Sequence, residues 1–105
     1  MINTIEFEDS NWEERIVYYY ASVEIKSNEI IKHVCDTENI KLNFNVANQV
    51  FFNESTADIS DLFLAKKSLV GEIRCVFVLE NDWNYKVFLI KTDDHVILKI
   101  WETYA

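Results

Sequence analysis

Two cysteines and two histidines are the residues of this 105-residue chain best suited to metal binding or nucleophilic catalysis. A structural zinc site takes four such ligands, usually supplied as closely spaced pairs. His33 and Cys35 are two positions apart, which places their side chains about 200° apart on a helix, and Cys75 and His95 are distant in the chain. We therefore expect no zinc site and no cofactor, and we interpret the cysteines as buried thiols.

Covalent catalysis has equally little support in the sequence. A nucleophilic thiolate needs a basic neighbour and an accessible position. Cys75 lies on the apolar side of an alternating segment, and Cys35 has no supporting motif around it. The only glycine, Gly71, cannot supply the G-x-S-x-G turn of serine hydrolases or a glycine-rich phosphate loop. We expect a protein that is not an enzyme.

Carboxylates are the third group that could do chemistry. Glu54, Asp58 and Asp61 share one side of a predicted helix, where paired carboxylates can transfer protons or hold a divalent ion. Acidic residues near the start of a helix more often face water, where they complement the helix dipole. An EF-hand is excluded because its central glycine and its closing glutamate are absent. We expect no metal site here.

The net charge of -8 is confined to two short segments. Residues 1–14, the first acidic segment, contain five acids and no base. Residues 54–62, the second acidic segment, contain three acids and no base, and the rest of the chain is balanced. Such acids can serve helix starts and solubility, or they can focus an electric field on a cationic partner. Both interpretations stay open, and they are compatible.

Aromatic residues accompany the first acidic segment. Trp12 lies within it, and Tyr18, Tyr19 and Tyr20 follow it, so at least one of the three tyrosines is expected at the surface or at an interface. Tryptophan and tyrosine are enriched at binding hot spots. We favour a core position for Tyr19 and leave Trp12 and Tyr18 open. Trp83, in a predicted turn, is a further candidate for an exposed aromatic residue.

Two interpretations compete for the elements in the first third of the chain. Residues 2–7 predict a short strand. A capping-box pattern at residues 10–13 and an apolar stripe with helical spacing favour a helix over residues 12–34. The rival is a strand over residues 15–26, where apolar and polar positions alternate and β-branched and aromatic residues are common. We favour the helix, because its cap and its stripe are independent signals.

The remaining elements have clearer patterns. Alternation over residues 40–46 predicts a half-buried strand. A helix is predicted over residues 55–71, since its final glycine suits the left-handed position after a helix end. Three strands joined by short turns are predicted over residues 72–80, 85–91 and 95–102.

Together these elements predict a single α+β domain over residues 1–105. We expect an antiparallel sheet of five to six strands that ends in a three-stranded C-terminal meander and packs against one or two helices. Both faces of the meander are apolar, so we expect a partner or a second copy, as a homodimer, to cover one face.

No apolar run is long enough to span a membrane. A cytoplasmic location is expected, because the first residues lack the features of a secretory signal and the cysteines suit a reducing compartment.

Small size, acidity and the lack of a catalytic constellation favour a binding protein. A pI near 4.6 disfavours direct contact with nucleic acid or an anionic membrane. It favours a basic protein partner, such as a nuclease toxin, whose cationic site would be occluded. This profile of size and charge resembles that of bacterial immunity proteins and antitoxins, although no sequence motif connects the chain with them. The residues expected to bind the partner are seven acids and two aromatics, namely Glu8, Asp9, Trp12, Glu13, Glu14, Tyr18, Glu54, Asp58 and Asp61.

The alternative is a small-ligand-binding or enzymatic α+β domain. A sheet packed against helices can enclose a pocket lined with aromatic rings and a few polar groups. The residues that could form it are Tyr19, Phe44, Phe52, Phe63, Phe77 and Trp101, with His95 or Asp58 as the polar group. The same rings would otherwise fill the core.

Overall fold

The structure is a computed structural model that describes residues 2–8, 14–44, 49–50 and 73–103. Within them, six strands form one antiparallel sheet in the order β1-β2-β6-β5-β4-β3, and one helix lies on it. In chain order the elements are β1 (Asn3–Glu8), β2 (Glu14–Ser22), α1 (Ser27–Glu38), β3 (Gln49–Val50), β4 (Ile73–Asp82), β5 (Tyr85–Thr92) and β6 (His95–Thr103). This arrangement confirms the predicted α+β class.

The C-terminal meander of β4, β5 and β6 is confirmed, with strand ends within about two residues of those predicted. Its strands follow from period-two alternation and from short polar turns. Thr92 organises the turn between β5 and β6, because its Oγ1 accepts the backbone N–H of His95 at 2.9 Å. The predicted first strand is also confirmed, as β1.

The predicted helix over residues 12–34 is wrong for residues 14–26 and right for residues 27–34. Residues 14–22 form β2, and within the described part of the chain the helix covers residues 27–38. The rival interpretation as a strand is right, although β2 ends before residue 26. The physical reason is that β2 pairs with β1 and β6 and is buried on both faces, so a run of β-branched and aromatic residues packs well there. The capping-box pattern at residues 10–13 lies outside the described residues.

Helix α1 docks on the sheet through Ile30, Ile31 and Val34, which are buried and recur at helical spacing. The helix ends at Asn39, which adopts the left-handed conformation with φ 56°. Asparagine is one of the few residues other than glycine that accept this conformation readily. The C-terminal end of the helix lies close to the start of β2, where Glu38 accepts a hydrogen bond from Arg15.

Residues 40–44 form no strand, so the strand predicted over residues 40–46 is wrong for its described part. The alternation of burial is nevertheless present. Ile40, Leu42 and Phe44 are half-buried against the core, whereas Lys41 and Asn43 are exposed. The pattern therefore indicates correctly which side chains face the core, although residues 40–44 do not pair with a neighbouring strand. The helix predicted over residues 55–71 lies outside the described residues.

Both faces of the sheet are buried. The helix-side face packs against α1 and includes Val17, Tyr19, Val87, Leu89 and Leu98. The second face includes Tyr18, Val76, Phe88, Ile90 and Ile97, each at most 9% exposed. These side chains are buried within one chain, so no second copy is needed to cover them. The argument for a homodimer from an uncovered apolar face therefore no longer applies. No helix in the described part of the chain has the length and apolarity needed to cross a membrane.

The docking of α1 can be tested through its central side chain. Replacing Ile30, which is fully buried, with alanine removes apolar contacts and leaves a cavity, so we expect a loss of about 2–5 kcal/mol in the free energy of unfolding. The control is Lys32→Ala on the exposed side of the same helix, with an expected change within about 0.5 kcal/mol. Urea denaturation measures both. Equal losses would contradict this packing of the helix.

Candidate functional site

One end of the sheet gathers acidic side chains from three strands and the helix. Antiparallel pairing brings together the start of β2, the end of β4, the start of β5 and the end of β6, with Arg15, Glu102, Tyr85 and Asp82 in one row. Glu38, at the end of α1, reaches the same place. We call this region the acidic end and define it by the residues Glu6, Arg15, Glu38, Glu80, Asp82 and Glu102.

Arg15 is the centre of the acidic end. Its Nε donates to Glu6 at 2.6 Å, its Nη1 to Glu102 at 2.8 Å and its Nη2 to Glu38 at 2.9 Å. The planar guanidinium suits this role, because its five N–H groups point in fixed directions. Burial alone would lower the pKa of Arg15, but the hydrogen bonds to Glu102, Glu38 and Glu6 outweigh it and raise that pKa. The side chain therefore remains a cation.

Two tyrosine hydroxyls adjoin the carboxylates. Tyr19 donates its hydroxyl proton to Glu38 at 2.8 Å, and burial together with this bond raises the pKa of Tyr19. Burial also raises the pKa of Tyr85, with further contributions from the negative charges of Glu102 and Glu80. The buried hydroxyl of Tyr85 has no hydrogen-bond partner among the described residues. Both phenols therefore stay neutral and add no charge to this region.

The acidic end carries an excess of negative charge. It contains five carboxylates and one guanidinium, and Glu80 and Asp82 are both exposed to solvent. Within the described ranges, no group of three histidine, cysteine, aspartate or glutamate side chains is arranged to hold a metal ion. Arg15 occupies the position between the glutamates that a metal ion would need. The arrangement can attract and hold a cationic group from outside, rather than a bare ion.

Trp83 stands at the edge of the acidic end. It lies in the turn between β4 and β5 and is 72% exposed, which confirms the predicted turn and the expected exposure. Asp82 fixes this turn, because its Oδ1 accepts the backbone N–H of Trp83 at 2.8 Å. An exposed indole offers apolar area that burial against a partner would remove from water.

The residues predicted to bind a partner have mixed positions. Tyr18 is only 2% exposed, because β2 is covered on both faces, and its ring lies under the ammonium of Lys99. It is therefore a core residue and must be removed from the expected contact surface. Glu14 is half-buried, and its carboxylate accepts the indole N–H of Trp101 at 3.3 Å. Glu8 is the last residue of β1, in register with Arg15.

The other predicted contact residues lie outside the described residues, namely Asp9, Trp12, Glu13, Glu54, Asp58 and Asp61. The two described residues that flank the segment 9–13 are Glu8 and Glu14, and both lie at the same end of the sheet as Arg15. Glu6, which contributes to the charge of the first acidic segment, is already paired with Arg15. Part of that charge surplus is thus neutralised within the chain.

Sequence reasoning missed the residues that form most of the acidic end. Glu38, Glu80 and Glu102 lie in stretches whose charge is balanced, so no local surplus marks them. They come together only through the pairing of β2 with β6 and the return of α1. A correct alignment of β2 with β6 would have placed Glu102 opposite Arg15.

The cysteines and histidines form no common site. Cys35 and Cys75 are free and half-buried. Burial raises the pKa of Cys75, against the opposing effect of Lys91, and this disfavours a reactive thiolate. His33 packs edge-on against Tyr19, whereas His95 packs against Tyr20, which points to the other face of the sheet.

The predicted aromatic pocket does not assemble among its described members. Tyr19 and Phe77 are core residues of the helix-side face, and Phe44 packs edge-on against Phe77 with ring centres 5.0 Å apart. Trp101 contacts Glu14 and Lys86, whose strand positions place it on the second face. Phe52, Phe63 and Asp58 lie outside the described residues.

The importance of Arg15 for the fold can be measured directly. Arg15→Met leaves three glutamates without their shared cation, and we expect a loss of about 2–4 kcal/mol in the free energy of unfolding. The control is Arg74→Met, because the ion pair of Arg74 with Asp93 is exposed and is expected to contribute at most about 1 kcal/mol. Chemical denaturation at neutral pH measures both. Similar losses in the two variants would contradict a central role for Arg15.

Alkaline pH should destabilise the chain through Tyr19 and Tyr85. The pKa of each is higher in the folded chain than in the unfolded chain. The resulting stabilisation is complete below about pH 10 and is lost as the pH rises through the folded-state values, at up to about 1.4 kcal/mol per pH unit for each tyrosine. Denaturation between about pH 8 and pH 11 measures this slope. Tyr19→Phe and Tyr85→Phe should each reduce it, and an unchanged slope in both variants would contradict the assignment.

Comparisons of the chain with protein-family models, with curated proteins and with solved structures found no significant match.

Proposed function

We propose that this chain is a small cytoplasmic inhibitor of the immunity-protein or antitoxin type, which neutralises a basic protein by covering its cationic site. The partner that fits best is a nuclease toxin domain. The observation that carries the proposal is the exposed indole of Trp83 beside an excess of carboxylates at the acidic end. In this role the chain needs no catalytic group of its own.

Trp83 has the properties of a binding anchor. Interface hot spots are enriched in tryptophan, and they combine a desolvated centre with a surrounding polar rim. Glu80 and Asp82, both exposed, lie at the end of β4 just before Trp83 and would form part of such a rim. The backbone of the turn that carries the indole is held by the hydrogen bond to Asp82, so little backbone entropy remains to be lost on binding.

The carboxylates supply charge in two ways. Glu6, Glu38 and Glu102 are held by Arg15, so a partner would meet them in fixed positions. Glu80 and Asp82 form no ion pair with a described residue, and they extend the negative field into solvent. Fixed groups favour a specific fit, and the exposed field raises the rate of encounter with a cationic surface.

A nuclease partner follows from the chemistry of its substrate. A nuclease must present a cationic groove to phosphates, and an acidic protein surface competes for the same groove. Two acids of the first acidic segment, Glu8 and Glu14, lie at the same end of the sheet as Arg15 and support this assignment. A contact role for Asp9, Trp12, Glu13 and the second acidic segment stays a prediction.

The test begins with the product of the neighbouring gene, co-expressed and purified with this chain, and then measures binding rates. Trp83→Ala should weaken binding by at least about 2 kcal/mol, mainly through faster dissociation. The double variant Glu80→Lys with Asp82→Lys should slow association by about tenfold or more at low ionic strength and much less at high ionic strength.

The matched control is the double variant Glu24→Lys with Glu29→Lys. Both residues are exposed near the opposite end of the sheet, and the change in net charge is the same. We expect little effect on binding from this control. Equal slowing by the two double variants would mean that net charge alone governs association, and the acidic end would then not be the binding site.

A further inference from the structure

Strand β1 forms one edge of the sheet and pairs on one side only among the described residues. All of its residues, Asn3–Glu8, pair with β2 in continuous register and without a bulge. Every second backbone N–H and C=O of an edge strand points away from its neighbour and can pair with an added strand. The opposite edge offers less backbone, because β3 comprises only Gln49–Val50 within the described ranges.

β1 lacks the features that usually protect an edge strand from pairing with another chain. Such strands are very short, are interrupted by a bulge, or carry lysine or proline. β1 is six residues long and regular, and it contains neither lysine nor proline. Its only charged residues are Glu6 and Glu8. Two paired copies of β1 would bring like charges together with no base in either strand, which disfavours a second copy and favours a basic strand.

The helix-side face of β1 presents exposed side chains to an added strand. Thr4 lies in register with Tyr19, which belongs to that face, and Glu6 bonds to Arg15 on the same face. Thr4 is exposed, and the side chain of Glu6 is still 46% exposed although it is paired. Arg15 is shared by three glutamates, so it does not cancel the negative charge there. Residues two positions apart in an added strand would stand opposite Thr4 and Glu6.

We propose that the outer edge of β1 binds an extended segment of a basic protein, with lysine or arginine at alternate positions, by adding it to the sheet. Main-chain hydrogen bonds supply the affinity, and basic side chains opposite Thr4 and Glu6 select the segment. The proposal does not depend on the proposed function, because the edge takes such a segment whether or not the chain inhibits a nuclease. It makes no use of Trp83, so the two surfaces can be tested separately.

The experiment titrates three terminally blocked peptides into the ¹⁵N-labelled chain at low ionic strength. The first alternates lysine and threonine, the second has the same composition in two blocks, and the third alternates glutamate and threonine. The alternating lysine peptide should bind at least about threefold more tightly than the block peptide, because all its lysines lie on one side of an extended chain. The glutamate peptide should bind far more weakly than either.

Amide hydrogen exchange reports the added strand directly. In the free chain, the amides of β1 that point away from β2 should exchange rapidly. With the alternating lysine peptide at ten times its Kd, their exchange should slow by about tenfold, because about one chain in eleven remains free. The amides of β5, in the interior of the sheet, are the internal control and should not change.

Thr4→Lys tests the charge of the edge. It places a cation at an exposed position of the helix-side face and should weaken binding of the alternating lysine peptide by about threefold at low ionic strength. The matched control is Asn28→Lys, which makes the same change in charge at an exposed position of α1 and should bind the peptide as the unaltered chain does. Unchanged spectral dispersion would show that both variants are folded.

Four results would overturn the proposal. The first is unchanged exchange of the β1 amides at saturating peptide. The second is equal binding of the alternating and block lysine peptides, or equal weakening by Thr4→Lys and Asn28→Lys, which would indicate a general charge effect. The third is slow exchange of every β1 amide in the free monomer, which would mean that the chain covers its own edge. The fourth is a sedimentation mass of two chains with those amides protected, which would assign the edge to a second copy.

Discussion

The bonds from Arg15 to three glutamates join parts of the chain that are far apart in sequence. Glu6 belongs to β1, Glu38 to the end of α1 and Glu102 to the end of β6, and all three reach the same guanidinium from β2. Without that cation, like charges would repel at the point where the helix, the edge strand and the central strands meet. The position of each element at this end of the sheet therefore depends on Arg15.

The same interaction leaves the region negatively charged. One guanidinium cannot balance three carboxylates, and the neighbouring hydroxyl of Tyr19 donates a hydrogen bond without adding charge. The buried hydroxyl of Tyr85 gains no partner among the described residues and likewise adds no charge. The net charge of this end of the sheet is therefore set by its carboxylates and by Arg15 alone among the described side chains that surround them.

The sequence predicts the meander well, because β4, β5 and β6 pair with their chain neighbours and need only local turns. It fails at residues 14–22, because β2 is apolar on both faces and such a run also contains a helical stripe. Ile16, Tyr19, Tyr20 and Val23 fit the helical period, although the strand places Tyr19 and Tyr20 on opposite faces. For residues 14–22 the amino-acid composition indicates the correct element and the hydrophobic period does not, since β-branched and aromatic residues favour the extended chain.

Strand alternation separates the acidic end from the side chains of the second face. Tyr85 and Lys86 are consecutive in β5, yet the first faces the carboxylates around Arg15 and the second faces Trp101 on the second face. In β6, Glu102 and Trp101 are separated in the same way. Successive side chains of a strand point to opposite faces, so side chains that are adjacent in sequence are held apart by the thickness of the sheet. The carboxylates of the acidic end are therefore gathered on the helix-side face, although side chains of the second face are their neighbours in sequence.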